Sequence, residues 1–225
     1  MPESFRRDAA GPEMRPVFHS LLALCATTSL AAPLEVQFVG VDGRGVGGTV
    51  MTLRSTDAAR PVAKPAPAVM DQMDRQFAPH VLVVPVGSPI SFPNSDSVSH
   101  QVYSFSATKR FQLPLYRGKA YPPVLFDREG VVTLGCNIHD QMRAYVYVVE
   151  AQYFGRADRD GRWAAGDVEP GEYLLTIWHP QSRAQSPVLE QRVTVAAAGT
   201  QLLLRAAMPL KLRSESQVPA NWDVY

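Results

Sequence analysis

The sequence predicts an all-β protein, and three observations carry that prediction. No stretch after residue 34 sustains a helical period of apolar residues. Runs rich in β-branched and aromatic residues recur in its place. Turn chemistry separates these runs, as in "VDGRG", "VGSP", "DREG", "DRDG" and "EPGE", where Gly, Pro and Asp supply the bends that strands cannot.

Taken in chain order, "LEVQFVGV" (34–41) and "GTVMTLRS" (48–55) read as a β-hairpin. The Pro/Ala segment "AARPVAKPAPA" (58–68) reads as a stiff connector. "VMDQMDRQF" (69–77) reads as an edge strand. Further strands are expected at "HVLVVPVG" (80–87), "PISFPN" (89–94), "QVYSFS" (101–106), "VLFD" (124–127), "VVTLGC" (131–136) and "RAYVYVVE" (143–150). One or two helical turns are expected within "SATKRFQLPLY" (106–116). "EAQYFGRADRDG" (150–161) marks a change of unit. Strands follow at "YFGRAD" (153–158), "GEYLLTIWHP" (171–180), "QRVTVAA" (191–197) and "TQLLLRAAM" (200–208), and the polar tail covers residues 213–225.

The chain has 225 residues, a formal net charge of +1, 46% hydrophobic and 19% charged residues, which is ordinary for a globular protein of one large or two small domains. The near-neutral charge and the lack of a basic run argue against nucleic acid as a partner.

Residues 1–33 read as a signal region. From Met14, a candidate initiator, Arg15 is followed by the apolar run "VFHSLLALCATTSLAA" and Pro33. Small residues at Ser29 and Ala31 suit cleavage after Ala31. The apolar run is short of the ~20 residues that span a bilayer, so the mature chain is expected in the periplasm without a membrane span. Arg6-Arg7 is a weak twin-arginine signal, and Leu24 before Cys25 argues against a lipid anchor. Cys25 leaves with the signal, so the mature chain keeps Cys136 alone, in a compartment where cysteines usually pair.

The chemistry concentrates in "GCNIHDQMR". Cys136, His139 and Met142 follow one another at steps of three between two strands. A thiolate and a thioether are soft ligands that favour copper, and imidazole suits it too. Two His, one Cys and a weak axial Met make a mononuclear blue-copper site; this loop supplies three of the four. The missing imidazole lies among His80, His100 and His179. His100, in the polar turn "SFPNSDSVSH", sits where a neighbouring strand end can face the loop. Met70 and Met73 with His80 form a second candidate set, for Cu(I), against the plainer reading of an edge strand. Asp158 and Asp160 are too few oxygen ligands for Ca²⁺ and read as a turn.

Residues 69–150 resemble a cupredoxin domain of the amicyanin/plastocyanin blue-copper type. The pattern is Asn94 to His100, then Gly130 to Cys136, then the short Cys-x2-His-x2-Met loop. The resemblance implies a Greek-key barrel and a copper held by His100, Cys136, His139 and Met142. In that family Pro usually precedes the first His, and an Asn after it often ties the ligand loops together. Here those positions hold Ser99 and Gln101, and Asp140, Val132 and Leu134 also depart from the usual residues. More loosely, the mature chain resembles the exported "methylamine utilization protein" type.

The stretch "YFGRADRDGRWAAGDVEPGEYLLTIWHP" is similar to the transthyretin-like regulatory sandwich of carboxypeptidases. Such domains open with a hairpin like that of residues 34–56. The resemblance therefore implies one discontinuous sandwich, 34–56 plus 151–212, with the copper domain inserted between its parts.

These expectations combine into an exported type 1 copper protein that carries single electrons. Its partner would be a c-type cytochrome or a dehydrogenase. With four protein ligands no position is open to substrate, which argues against an enzyme at this metal. The rivals are a copper-handling protein, for storage, delivery or sensing, and a non-redox β-sandwich binding module.

Overall fold

The computed structural model describes residues 32–118, 121–182 and 187–207. Almost all of the signal region with Cys25, the tail, and the end of the expected sandwich at residue 212 lie outside the described residues. Within them the chain is all-β: seventeen strands in five sheets.

Two sheets form a sandwich. In one, β1 (Ala32–Val39) lies between β14 (Arg162–Val168) and β17 (Thr200–Arg205), antiparallel to the first and parallel to the second. The other runs β13 (Tyr153–Arg156), β2 (Val50–Ser55), β15 (Gly171–Trp178), β16 (Leu189–Val195). The alternation of Leu34, Val36 and Phe38 on β1 meets Met51 and Leu53 on β2 and Tyr173, Leu175 and Ile177 on β15 in one buried core. The expected β1–β2 hairpin is therefore corrected. The two strands do not pair, Val39 bridging instead to Gly45 in the loop between them, and each enters a different sheet, in an interior position. Their apolar faces are satisfied across the core rather than side by side.

A second pair of sheets encloses a separate core. One runs β6 (Val81–Pro85), β12 (Arg143–Val149), β11 (Gly130–Gly135), β8 (Tyr103–Phe105), β9 (Arg110–Gln112); the other runs β10 (Val124–Phe126), β7 (Ser88–Ser91), β3 (Ala68–Val69). The helical turns expected near residue 110 are absent. Arg110–Gln112 instead pairs with Tyr103–Phe105, and the Phe111 ring stacks at 5.6 Å from Phe92 and 6.0 Å from Phe126, contacts that override local turn preference. The expected edge strand at 69–77 is a small hairpin of its own, β4 (Asp71–Met73) and β5 (Gln76–Ala78).

The strand "RAYVYVV" explains how the two cores join. Ala144, Val146 and Val148 face the second core, whereas Tyr147 and Val149 pack with Val50, Val81, Val131 and Trp178 in a third cluster between the units. Both faces of β12 are covered, hence a near-continuous apolar run. At this junction Arg54 of β2 also donates from Nε to the Glu150 carbonyl at 2.7 Å. The 58–68 connector is tied down as well, by Ala63 N–H to the Ala151 carbonyl (2.9 Å) and Ala66 N–H to Ser88 Oγ (3.2 Å).

Candidate metal centre

The β11–β12 ladder ends at the pair Gly135–Arg143, so residues 136–142 form the closing loop at one end of the five-stranded sheet. Cys136 continues the inward alternation of Val132 and Leu134 and is 3% exposed. A turn bond from Met142 N–H to the His139 carbonyl, 2.9 Å, folds the loop back. His139 sits on its rim, partly exposed. The Met142 side chain is buried in the same apolar cluster as Cys136.

The facing wall is the 94–100 turn. His100 exchanges backbone hydrogen bonds with Tyr116, 2.9 and 3.0 Å. Asn94 Nδ2 donates to the Tyr116 carbonyl (2.9 Å) and to the Val98 carbonyl (3.0 Å). The Tyr116 hydroxyl donates to the Phe92 carbonyl and accepts from Gln72 Nε2; burial pushes its pKa up to about 12. His100 is thereby wholly buried.

Three of the residues singled out from the sequence meet here. His100 Nδ1 lies 3.2 Å from His139 Nδ1, Cys136 Sγ lies 3.9 Å from His139 Nδ1, and the three ligand atoms all fall within 4.8 Å of one another. With first-row bonds of ~2.0–2.1 Å to nitrogen and ~2.3 Å to sulfur, these separations correspond to angles of ~100° between the nitrogens and ~125° between sulfur and His139 at a shared ion. The donor set and the spacing fit copper. His80 instead packs edge-on to Tyr145 at 5.5 Å, and His179 is buried at the end of β15, where Gln181 N–H donates to its Nδ1. Met70 is fully buried in the second core while Met73 is 46% exposed, so those two thioethers do not face one site. Asp158 Oδ1 is occupied by the N–H groups of Asp160 and Arg162, as in a plain turn.

Sequence reasoning missed Asp96. Its Oδ2 lies 2.9 Å from His100 Nε2 and accepts the Arg75 N–H at 2.8 Å, and its Oδ1 accepts Ser97 N–H at 2.7 Å. These bonds, His100 first and Arg75 second, hold its carboxyl well below the usual carboxylate range. An ionised carboxylate only accepts, so the 2.9 Å bond is donated by His100 Nε2–H, and Nδ1 is the ring nitrogen that faces Cys136 and His139. The four-residue step from Asp96 to His100 was the available signal. Gln101, which stands where the family usually has Asn, is buried with Oε1 unpartnered; Asn94 and Asp96 do the tying instead.

No curated protein matches the chain. The family model "Polysaccharide lyase family 4, domain II" matches residues 127–203, about a third of the chain, running from just before β11 into β17. The structural neighbours are cupredoxins. A purple cupredoxin from Nitrosopumilus maritimus is 25% identical over 36% of this chain and 99% of its own, with a TM-score of 0.33. A reduced Cu(I) form of an amicyanin variant is 24% identical over 44% of this chain and 98% of its own, at 0.34. The Cu-containing nitrite reductase NirK from Thermus scotoductus SA-01 is 24% identical over 50% of this chain, at 0.36; only 28% of that enzyme is covered.

Proposed function

We propose that this chain is an exported mononuclear type 1 copper protein that carries single electrons and is not itself an enzyme. The observation that carries the reading is the convergence of His100 Nδ1, Cys136 Sγ and His139 Nδ1 within 4.8 Å at the loop end of a β-sheet. Cys136 would hold the copper as thiolate, His100 and His139 as neutral imidazoles through Nδ1, and Met142 as a weak thioether donor. Bound copper would supply one-electron chemistry between Cu(I) and Cu(II). The residues around it supply rigidity. His100 is fixed through both its ring and its backbone, and Cys136 by the end of the β11–β12 ladder. A frame that changes little between oxidation states favours fast electron exchange. His139 is the ligand on the rim and so the exit toward a periplasmic partner, a c-type cytochrome or a dehydrogenase.

Residues 34–56 and 151–212 make one sandwich in this reading, with 69–150 inserted as the copper domain. The pairing of β1 with β14 and β17, and of β2 with β13 and β15, supports it. The sandwich holds the copper domain in one orientation through the Trp178 cluster.

Voltammetry of the copper-loaded protein, run beside a metal-transfer assay, tests the carrier reading. The expected result is a reversible one-electron wave with copper retained in both states. Ready loss of copper to a chelator on reduction would turn the assignment to copper handling.

A further inference from the structure

The β4–β5 hairpin contains no ligand, yet its backbone reaches one through a single side chain. Its tip residues, Asp74 and Arg75, both adopt left-handed backbone, φ 51° and 58°. That is the geometry of a type I′ turn, normally built from Asn-Gly, because left-handed backbone is unfavourable for an ordinary L-residue. The strain is held by the contacts behind it. Gln72 Nε2 donates to the Pro93 carbonyl at 2.8 Å, Ser95 N–H donates to the Gln72 carbonyl at 3.1 Å, and Ser95 Oγ donates to Asp71 Oδ2 at 2.7 Å. So docked, the hairpin aims the Arg75 N–H at Asp96 Oδ2, the same oxygen that meets His100 Nε2. It also holds the Tyr116 hydroxyl through Gln72, and Tyr116 pins the His100 backbone. One small element thus steadies both the ring and the main chain of His100.

We propose that Asp96, held by the β4–β5 hairpin, is the positioning residue of the metal centre: its carboxylate fixes the His100 ring with Nδ1 toward the metal and strengthens that imidazole as a donor to the more highly charged oxidation state. The proposal rests on the copper reading above. A negative charge hydrogen-bonded to the far nitrogen raises ligand basicity. It favours Cu(II) over Cu(I), and so lowers the potential. The hairpin adds order, because an exposed carboxylate could swing away, whereas this one receives Arg75 N–H, Ser97 N–H and His100 Nε2–H together.

The test has a metal-free and a copper-loaded arm. In the metal-free full-length protein, the ring nitrogen resonances of His100 should show that the neutral ring holds its proton on Nε2. Asp96→Ala should let the ring exchange between tautomers. Loaded with copper, Asp96→Ala should bind Cu(II) ~10–100-fold more weakly, the usual cost of losing such a partner. Asp96→Asn keeps an acceptor oxygen and removes the charge. It should keep copper and the wild-type tautomer while the potential rises, by about 59 mV for each factor of ten lost in Cu(II) affinity relative to Cu(I). The proposal is overturned if the metal-free protein carries the His100 proton on Nδ1, or if folded Asp96→Asn and Asp96→Ala both keep the wild-type potential. Should the copper-loaded wild type lack a type 1 spectrum, the electron-carrier reading fails by itself, and the metal-free arm still decides the role of Asp96.

Discussion

The two imidazoles of the centre sit on loops of opposite character. His100 is fully buried, bonded at Nε2 to Asp96, and stitched by its backbone to Tyr116, which is itself held by Gln72 and Asn94. His139 is partly exposed on a short turn beside Ile138, which is 50% exposed, and its loop is closed by the Met142 N–H bond. One ligand belongs to the protein interior and the other to the surface. In the proposed centre the buried side would set geometry and donor strength, and the open side would provide access.

Removing each imidazole should expose the difference most strongly. His100→Gly opens a cavity in the interior and removes one of the hydrogen bonds to the Asp96 carboxylate, so copper binding should be lost and stability should fall. His139→Gly should leave stability within ~0.5 kcal/mol of wild type, as for other surface changes, and added imidazole should restore the centre from solvent. Chemical denaturation with and without copper, plus imidazole titration followed by visible absorption, separates the two. Equal rescue of both variants would break the comparison.

His179 sharpens it from another side, because it is buried like His100 but has no carboxylate partner among the described residues. Burial pushes its pKa down to about 4, only partly offset by its hydrogen bond to the Gly47 backbone. The folded state then binds fewer protons than the unfolded chain below pH ~6.5. Its contribution is intact above that value and is lost progressively as pH falls from ~6.5 to about 4, on the order of 3 kcal/mol in all. Denaturation midpoints across this range should fall less steeply in His179→Gln than in wild type. Identical slopes would remove His179 as the source.

The smallest expected effect on binding is at Met142. As a weak axial donor it should tune potential more than occupancy. Met142→Leu, nearly isosteric in the buried cluster it shares with Cys136, should keep copper and raise the potential in voltammetry. Loss of copper would make Met142 a principal ligand.

Much of this was legible in the sequence because the physics is local. The all-β class follows from period and turn chemistry, and the soft ligands of "CNIHDQM" occupy a span of seven residues. What was not legible depends on distant contacts. Nothing within residues 34–55 says whether β1 and β2 pair or face each other; the partners that decide it, β14, β15 and β17, come more than a hundred residues later. The stacking of Phe111 on Phe92 and Phe126 was equally invisible at "SATKRFQLPLY", where one or two helical turns are expected from the sequence. Asp96 lay in plain view four residues before His100, but only the hairpin that supplies the Arg75 N–H shows which way its carboxylate points.

In the proposed centre the Cys136 thiolate and the two imidazoles hold one copper together. Visible and electron paramagnetic resonance spectra of the Cu(II)-loaded full-length protein, beside Cys136→Ser, test it most directly. The predicted result is one copper per chain with intense thiolate-to-metal charge-transfer colour, abolished in Cys136→Ser while the fold persists. A folded wild-type protein that binds Cu(II) without that colour would contradict the claim.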